Sequence, residues 1–115
     1  MYTFVYYLLQ SEQLAVEFEW DETKRQQVLR ERGVDILYAA LIFEGPVLTR
    51  TDDRADYGEI RYVSLGVVDD ECFIVVTTDR NNVRRLITAW KGSRNDRSRY
   101  QESLARRDPG DEGHR

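Results

Sequence analysis

One histidine, one cysteine, one methionine and two prolines are spread over 115 residues, and these scarcities exclude whole classes of chemistry. His114 stands in a polar tail beside Gly113, far along the chain from Cys72, so a zinc site of Cys and His side chains lacks its ligands. The same separation leaves neither a Ser-His nor a Cys-His nucleophile pair, and no metal or cofactor is expected. A lone cysteine forms no intrachain disulfide and gives no sign of an oxidising compartment, which makes the cytoplasm the expected location. Long apolar runs are missing too. The stretch from Tyr2 to Leu9 falls well short of the roughly 20 apolar residues that span a bilayer. It also lacks the basic start and small-residue cleavage site of a signal peptide, so no membrane role is expected.

What is present is charge, and it is segregated. Residues 1–79 carry 7 Lys/Arg against 16 Asp/Glu, residues 80–107 carry 9 against 2, and residues 108–115 carry 1 against 3, within a net charge of −4. An Arg-rich segment in an acidic chain suits two kinds of partner: phosphates, which a guanidinium matches with a planar fork, or acidic protein surface. With 41% hydrophobic residues in patterned runs, the chain is long enough for one domain with one core.

The pattern predicts an α+β fold. Asp21 is placed to N-cap a helix that ends near Arg32 at Gly33. Asp35 is placed to cap a second helix, in which Ile36, Leu37, Ala40 and Leu41 recur at helical spacing until Glu44-Gly45-Pro46. Together they predict an N-terminal helical hairpin. β-branched and aromatic residues mark strands at Val47 to Thr51, Ile60 to Val68, Cys72 to Thr78 and Val83 to Trp90. Turns at Asp69-Asp70-Glu71 and Asn81-Asn82 join them into an antiparallel four-stranded meander packed on the helices. Ser93-Arg94-Asn95-Asp96 is a capping-box variant opening a C-terminal helix whose narrow apolar stripe is Tyr100 and Leu104. Residues 1–15 read as an extension, either an extra strand or a helix, with pairing to a second copy as a further option. Residues 16–107 form the domain, and the breaker-rich stretch 108–115 is expected to be disordered.

Several motifs follow one another in a familiar order. They are Phe18-Glu19-Trp20-Asp21-Glu22-Thr23-Lys24, Arg32-Gly33-Val34, the run from Tyr57 through Glu59, Arg61 and Ser64 to Gly66, Arg85-Leu86-Ile87-Thr88-Ala89, and Ser93-Arg94 with Arg97 and Tyr100. This series resembles the BrnT family of toxins, from about Val16 to Leu104. The resemblance implies a RelE-like fold and the toxin half of a bacterial type II toxin-antitoxin pair, arresting growth by cleaving RNA. It also implies a ribbon-helix-helix antitoxin of the BrnA type, with DNA met only through that partner. Two positions depart from the family pattern. Trp90-Lys91 stands where an Arg-containing pair is common, and Thr77 where a Tyr is common.

The chemistry that the resemblance implies is attack of a ribose 2′-hydroxyl on the adjacent phosphate. It needs a base, cations on the phosphoryl oxygens and an acid for the leaving oxygen, but no metal. With no suitable histidine, Glu59 and Tyr57 are the base candidates, while Arg61, Arg80, Arg85 and Lys91 are candidates to stabilise the developing charge. Tyr57, Trp90 and Arg94 are candidates to bind substrate, Trp90 by stacking on a base. Each has a plainer reading. Glu59 and Arg61, two apart in a strand, pair with each other; Arg80 is a solvated turn residue; Trp90 is a core or interface aromatic; Trp20 is a core anchor under Lys24. The arginines beyond Ser93 decorate a solvated helix. Two competing functions stand beside the ribonuclease. One is a toxin-like module without activity, acting in complex formation and autorepression; the other is self-association into a homodimer through Tyr2 to Leu9.

Overall fold

The computed structural model describes residues 6–10 and 14–106. The tail expected to be disordered, with His114, lies outside the described residues. Two strands open the fold, β1 (Tyr6–Gln10) and β2 (Leu14–Trp20), followed by α1 (Glu22–Arg32) and α2 (Ile36–Ala39), a single turn that tightens into a 3₁₀ segment (Ala40–Glu44). Then come β3 (Leu48–Thr51), β4 (Tyr62–Val68), β5 (Glu71–Arg80), β6 (Val83–Lys91) and α3 (Arg94–Arg106).

The caps are where the sequence places them. The Asp21 carboxylate accepts from the backbone of Thr23 and Lys24 at 2.9 and 3.4 Å, and Gly33 closes α1 at φ 67°, in the left-handed region that glycine adopts without strain. α1 buries only Val28 of its own length, so its position rests on its ends. Asp35 caps α2 through Leu37 N–H and takes a two-pronged ion pair from Arg25 at 2.8 and 2.9 Å, tying the helices together. The 3₁₀ turn follows from burial: Ala39 aligns with Ile42 and Ala40 with Phe43 at three-residue spacing, and all four are buried.

The expected fold class is corrected. The sheet is six-stranded, in the order β1-β2-β6-β5-β4-β3, and mixed rather than a four-stranded antiparallel meander. A strand hairpin precedes the helices, β1 pairing antiparallel with β2 of the same chain (Tyr6 opposite Phe18), so no helical hairpin stands at the N-terminus. β2 then runs parallel to β6, with Glu17 opposite Val83 and Trp20 opposite Leu86. That pairing joins segments more than sixty residues apart, and no local pattern reports it. The four expected strands are present and pair consecutively, β4 to β5 and β5 to β6 through two-residue turns and β3 to β4 through the longer stretch 52–61. Asp69, Asp70, Asn81 and Asn82 all take positive φ, the conformation whose twist matches a hairpin.

Apolar cores lie on both faces of the sheet. α1, α2 and the 3₁₀ turn cover one, built on Phe18, Trp20, Ile36, Ile42, Phe43, Val75 and Ala89. α3 covers part of the other, with Val63, Leu65, Ile74, Val76 and Tyr100. It is seated by Tyr100, whose hydroxyl donates to Pro46 O at 2.8 Å, while Leu104 of the expected stripe is exposed. Its cap is the expected reciprocal pair, Ser93 N–H to Asp96 and Asp96 N–H to Ser93 Oγ, at 2.8 and 3.1 Å.

A bulge in β6 decides which residues share the α3 face. Val76 is opposite Thr88 but Thr77 is opposite Leu86, leaving Ile87 as the extra residue. Without it, strict alternation from Trp90 and Thr88 puts Leu86 on the α3 face. With it, Leu86 joins the core beneath α1 and α2, and Arg85, opposite Thr78, turns to the face that carries Trp90.

Candidate functional site

The uncovered part of the α3 face is closed at one end by residues 52–61, the chain between β3 and β4. Asp52 N–H donates to Arg61 O at 2.8 Å and Thr78 Oγ1 donates to Ile60 O at 2.7 Å, so the loop is sewn to the sheet at its return. Glu59 and Arg61 therefore precede β4 rather than lie in it, yet they meet: Arg61 Nε donates to Glu59 Oε2 at 3.1 Å. The other oxygen of Glu59 accepts from Arg80 Nη2 at 2.8 Å. Beneath them, the Arg61 guanidinium lies 4.0 Å from the centre of the Tyr57 ring. The hydrogen bond from Arg80 is the main cause holding the Glu59 carboxyl below its ordinary value; the one from Arg61 adds to it, and burial opposes.

The Tyr57 hydroxyl donates to Asp52 Oδ2 at 3.2 Å. The Asp52 side chain is fully buried and also accepts from Arg54 Nε and Nη2, both at 2.8 Å. The Arg54 guanidinium holds that carboxyl far below the usual carboxylate range, and Asp52 in turn raises Arg54. Arg54 reaches across the sheet to 5.7 Å from the Trp90 ring centre. Arg32, from the last turn of α1, lies 5.8 Å from the same ring and is fixed by Thr88 Oγ1 at 2.8 Å and Ala89 O at 3.0 Å. Arg85 Nη1 pairs with Glu19 of β2 at 3.0 Å.

Of the residues singled out from sequence, Tyr57, Glu59, Arg61 and Arg80 form one cluster, and Arg85 and Trp90 share its face. Lys91 and Arg94 are not brought to it. Lys91 is opposite Phe73, and Ile60 is bonded to Thr78; the intervening stretch of β5 is about 17 Å long at a rise of about 3.4 Å per residue. There Lys91 pairs with Glu71 at 2.9 Å, and both Lys91 and Arg94 line a cavity of about 310 Å³ shared with Asp70 and Arg97. Cys72 lies in its wall, buried, and burial pushes its thiol up, away from the reactive thiolate. Trp90 lines a separate cavity of about 260 Å³ beside α3. A cavity of about 610 Å³ lies on the opposite face beside Phe43, Pro46 and Arg84, and none of the candidate residues lines it. Sequence reasoning missed Asp52, Arg54 and Arg32. The Asp-x-Arg spacing of residues 52 and 54 was a faint signal, but Arg32 reads from sequence only as a helix-terminal cation.

The family model for the ribonuclease toxin BrnT of type II toxin-antitoxin systems matches residues 20–96. The chain belongs to the BrnT family. The matched stretch takes in α1, the whole 52–61 loop, Arg80, Arg85 and Trp90, and ends in the first turn of α3, so both guanidinium groups around Glu59 and those around Trp90 lie within BrnT sequence. Of the described elements, β1 and most of β2 precede it. Membership makes ribonuclease toxin the broad activity class and an antitoxin the partner. A comparison with curated proteins gives no match. Among the described residues no helix is long and apolar enough to cross a membrane.

Proposed function

We propose that this chain is an endoribonuclease that cuts RNA without a metal, by attack of a ribose 2′-hydroxyl on the adjacent phosphate. The observation that carries the reading is the grip of one carboxylate, Glu59, on two guanidinium groups, Arg61 and Arg80, over the ring of Tyr57. At neutral pH Glu59 is a carboxylate and its basicity is held down by both arginines. An arriving phosphate competes for the same guanidinium forks. As Arg61 and Arg80 turn to the phosphoryl oxygens, Glu59 loses its partners and regains basicity beside the 2′-hydroxyl. Glu59 takes the 2′ proton, the 2′-oxygen bonds to phosphorus, and the bond to the 5′-oxygen breaks. That oxygen collects a proton from solvent or from Tyr57, leaving a 2′,3′-cyclic phosphate and a 5′-hydroxyl. Arg85 shares the face and adds positive potential.

The purified protein, freed of antitoxin, is expected to cut RNA in the presence of EDTA and to leave cyclic phosphate ends. Arg61→Ala combined with Arg80→Ala is expected to abolish both cleavage and growth arrest; unimpaired toxicity in that variant defeats the assignment. The partner is proposed to be a ribbon-helix-helix antitoxin of the BrnA type in the cytoplasm, with DNA reached only through it.

One observation favours a second reading, a binding module without activity. Arg61 and Arg80 meet Glu59, Arg85 meets Glu19 and Arg54 meets Asp52, so these four guanidinium groups of the candidate site already have a carboxylate. Tight antitoxin binding by a pure protein that cleaves no RNA identifies that case.

A further inference from the structure

Arg54 is built unlike a surface arginine. Its Nε and Nη2 are committed to a carboxylate with no solvent exposure, while the side chain as a whole is 55% exposed, so the remaining amino group, Nη1, stands outside the pair at the protein surface. Burying a carboxylate to hold one guanidinium is a poor way to gain stability, because desolvation offsets the attraction. It is a good way to fix a planar cation in one orientation. Arg32 is likewise fixed, by a hydroxyl and a strand carbonyl. The two cations converge on one half-buried indole, that of Trp90.

The geometry points to a nucleotide subsite made of Arg54, Trp90 and Arg32, which holds the nucleotide next to the scissile phosphate, its base against the indole and its phosphate on Arg54. The subsite rests on the ribonuclease reading for the position of the scissile phosphate. Asp52 connects the two places: it binds the Tyr57 hydroxyl on one side and Arg54 on the other, so Arg61 above Tyr57 and Arg54 flank a single buried carboxylate. Two guanidinium groups so linked suit neighbouring phosphates of one strand. Asp52 is the positioning residue of the pair. Trp90, where the family pattern has a cation, then substitutes stacking for one ionic contact, with Arg32 and Arg54 providing the charge beside it.

The test uses a short unstructured oligoribonucleotide, its 2′-deoxy analogue that cannot be cut, and a shortened analogue lacking the flanking nucleotide. Arg54→Ala and Trp90→Ala are each expected to raise KM for cleavage and Kd for the analogue by roughly 5-fold to 150-fold, the range for loss of a stacked base. KM is expected to move more than kcat, and Trp90→Phe to retain most of the affinity. Shortening the analogue weakens binding to wild type but makes little further difference to the two alanine variants, a pattern that a loop staple does not produce. Wild-type KM and Kd in both alanine variants overturn the subsite, as does loss of antitoxin binding with RNA binding intact. If Arg54→Ala does not fold, Trp90→Ala against Trp90→Phe decides. The two ideas fail separately: analogue binding that depends on Arg54 in a protein that never cuts RNA removes the ribonuclease reading alone, and cleavage lost in Arg61→Ala but indifferent to Arg54 and Trp90 removes the subsite alone.

Discussion

Glu59 and Asp52 are two carboxylates seven positions apart with different surroundings, and their titrations separate their roles. Glu59 shares two arginines at the protein surface and its carboxyl is lowered from 4.5. A base works only when deprotonated, so the acid limb of kcat/KM, which reports the free enzyme, is expected below pH 4.5, and Glu59→Gln is expected to remove that limb. The same variant is expected to lower kcat by roughly 100-fold to 10,000-fold, the usual contribution of a positioned base. A pH–rate profile of both proteins checks this. Asp52 is the structural partner. Its folded-state carboxyl lies below the unfolded value of 3.8, so the stabilisation it brings is complete above that pH and lost as pH falls through and beneath it. Urea titrations are therefore expected to show Asp52→Asn less stable than wild type at neutral pH, the gap narrowing at pH below 3.8.

The elements are positioned by close contacts as much as by caps. Gly66 of β4 faces the 3₁₀ turn, and a Cβ built there falls 2.7 Å from Ile42 Cβ and 3.3 Å from Val47 Cγ1. Ile42 is fully buried and has no room to retreat. Gly66→Ala is expected to cost about 1 to 3 kcal/mol by overpacking, read as a lower urea midpoint with an unchanged slope. If that variant is as stable as wild type, the 3₁₀ turn does not sit on β4 as described. At this scale much was legible from sequence. Asp21 and Gly33 bound α1, Ser93 and Asp96 open α3, and paired turn-forming residues end the hairpins, because each signal is a side chain meeting backbone within a few positions. The helix expected after Asp35 was only half right. Packing of Ala39 with Ile42 and Ala40 with Phe43 tightened it after one turn, and packing is not a local property.

Over the whole molecule, the charge reversal near residue 80 does not map onto a single basic face. Arg80 and Arg85 join the candidate site with Arg32, Arg54 and Arg61 from the acidic part of the chain. Lys91 and Arg94 stand at the far end of β6, and Arg97 pairs with Asp70 at 2.7 Å. With two or three phosphates engaged, the logarithm of RNA affinity is expected to fall against the logarithm of salt with a slope of about −1.4 to −2.1. A slope several times steeper, measured by titration at varied potassium chloride, is the result that contradicts a small site.

From the sequence alone came what depends on near neighbours and on a shared motif series: caps, turns, four of the strands, the Glu59–Arg61 pair and the family. Only the tertiary structure decided that β2 enters beside β6, that the bulge at Ile87 turns Arg85 to the Trp90 face, and that Asp52 ties Arg54 to Tyr57. It likewise decided that Lys91 and Arg94 stand away from the Glu59 cluster. The reason is the range of the interactions. Hydrogen bonds between side chain and adjacent backbone write themselves into residue order, whereas parallel pairing and the shift in alternation at a bulge are fixed by which distant surfaces bury each other.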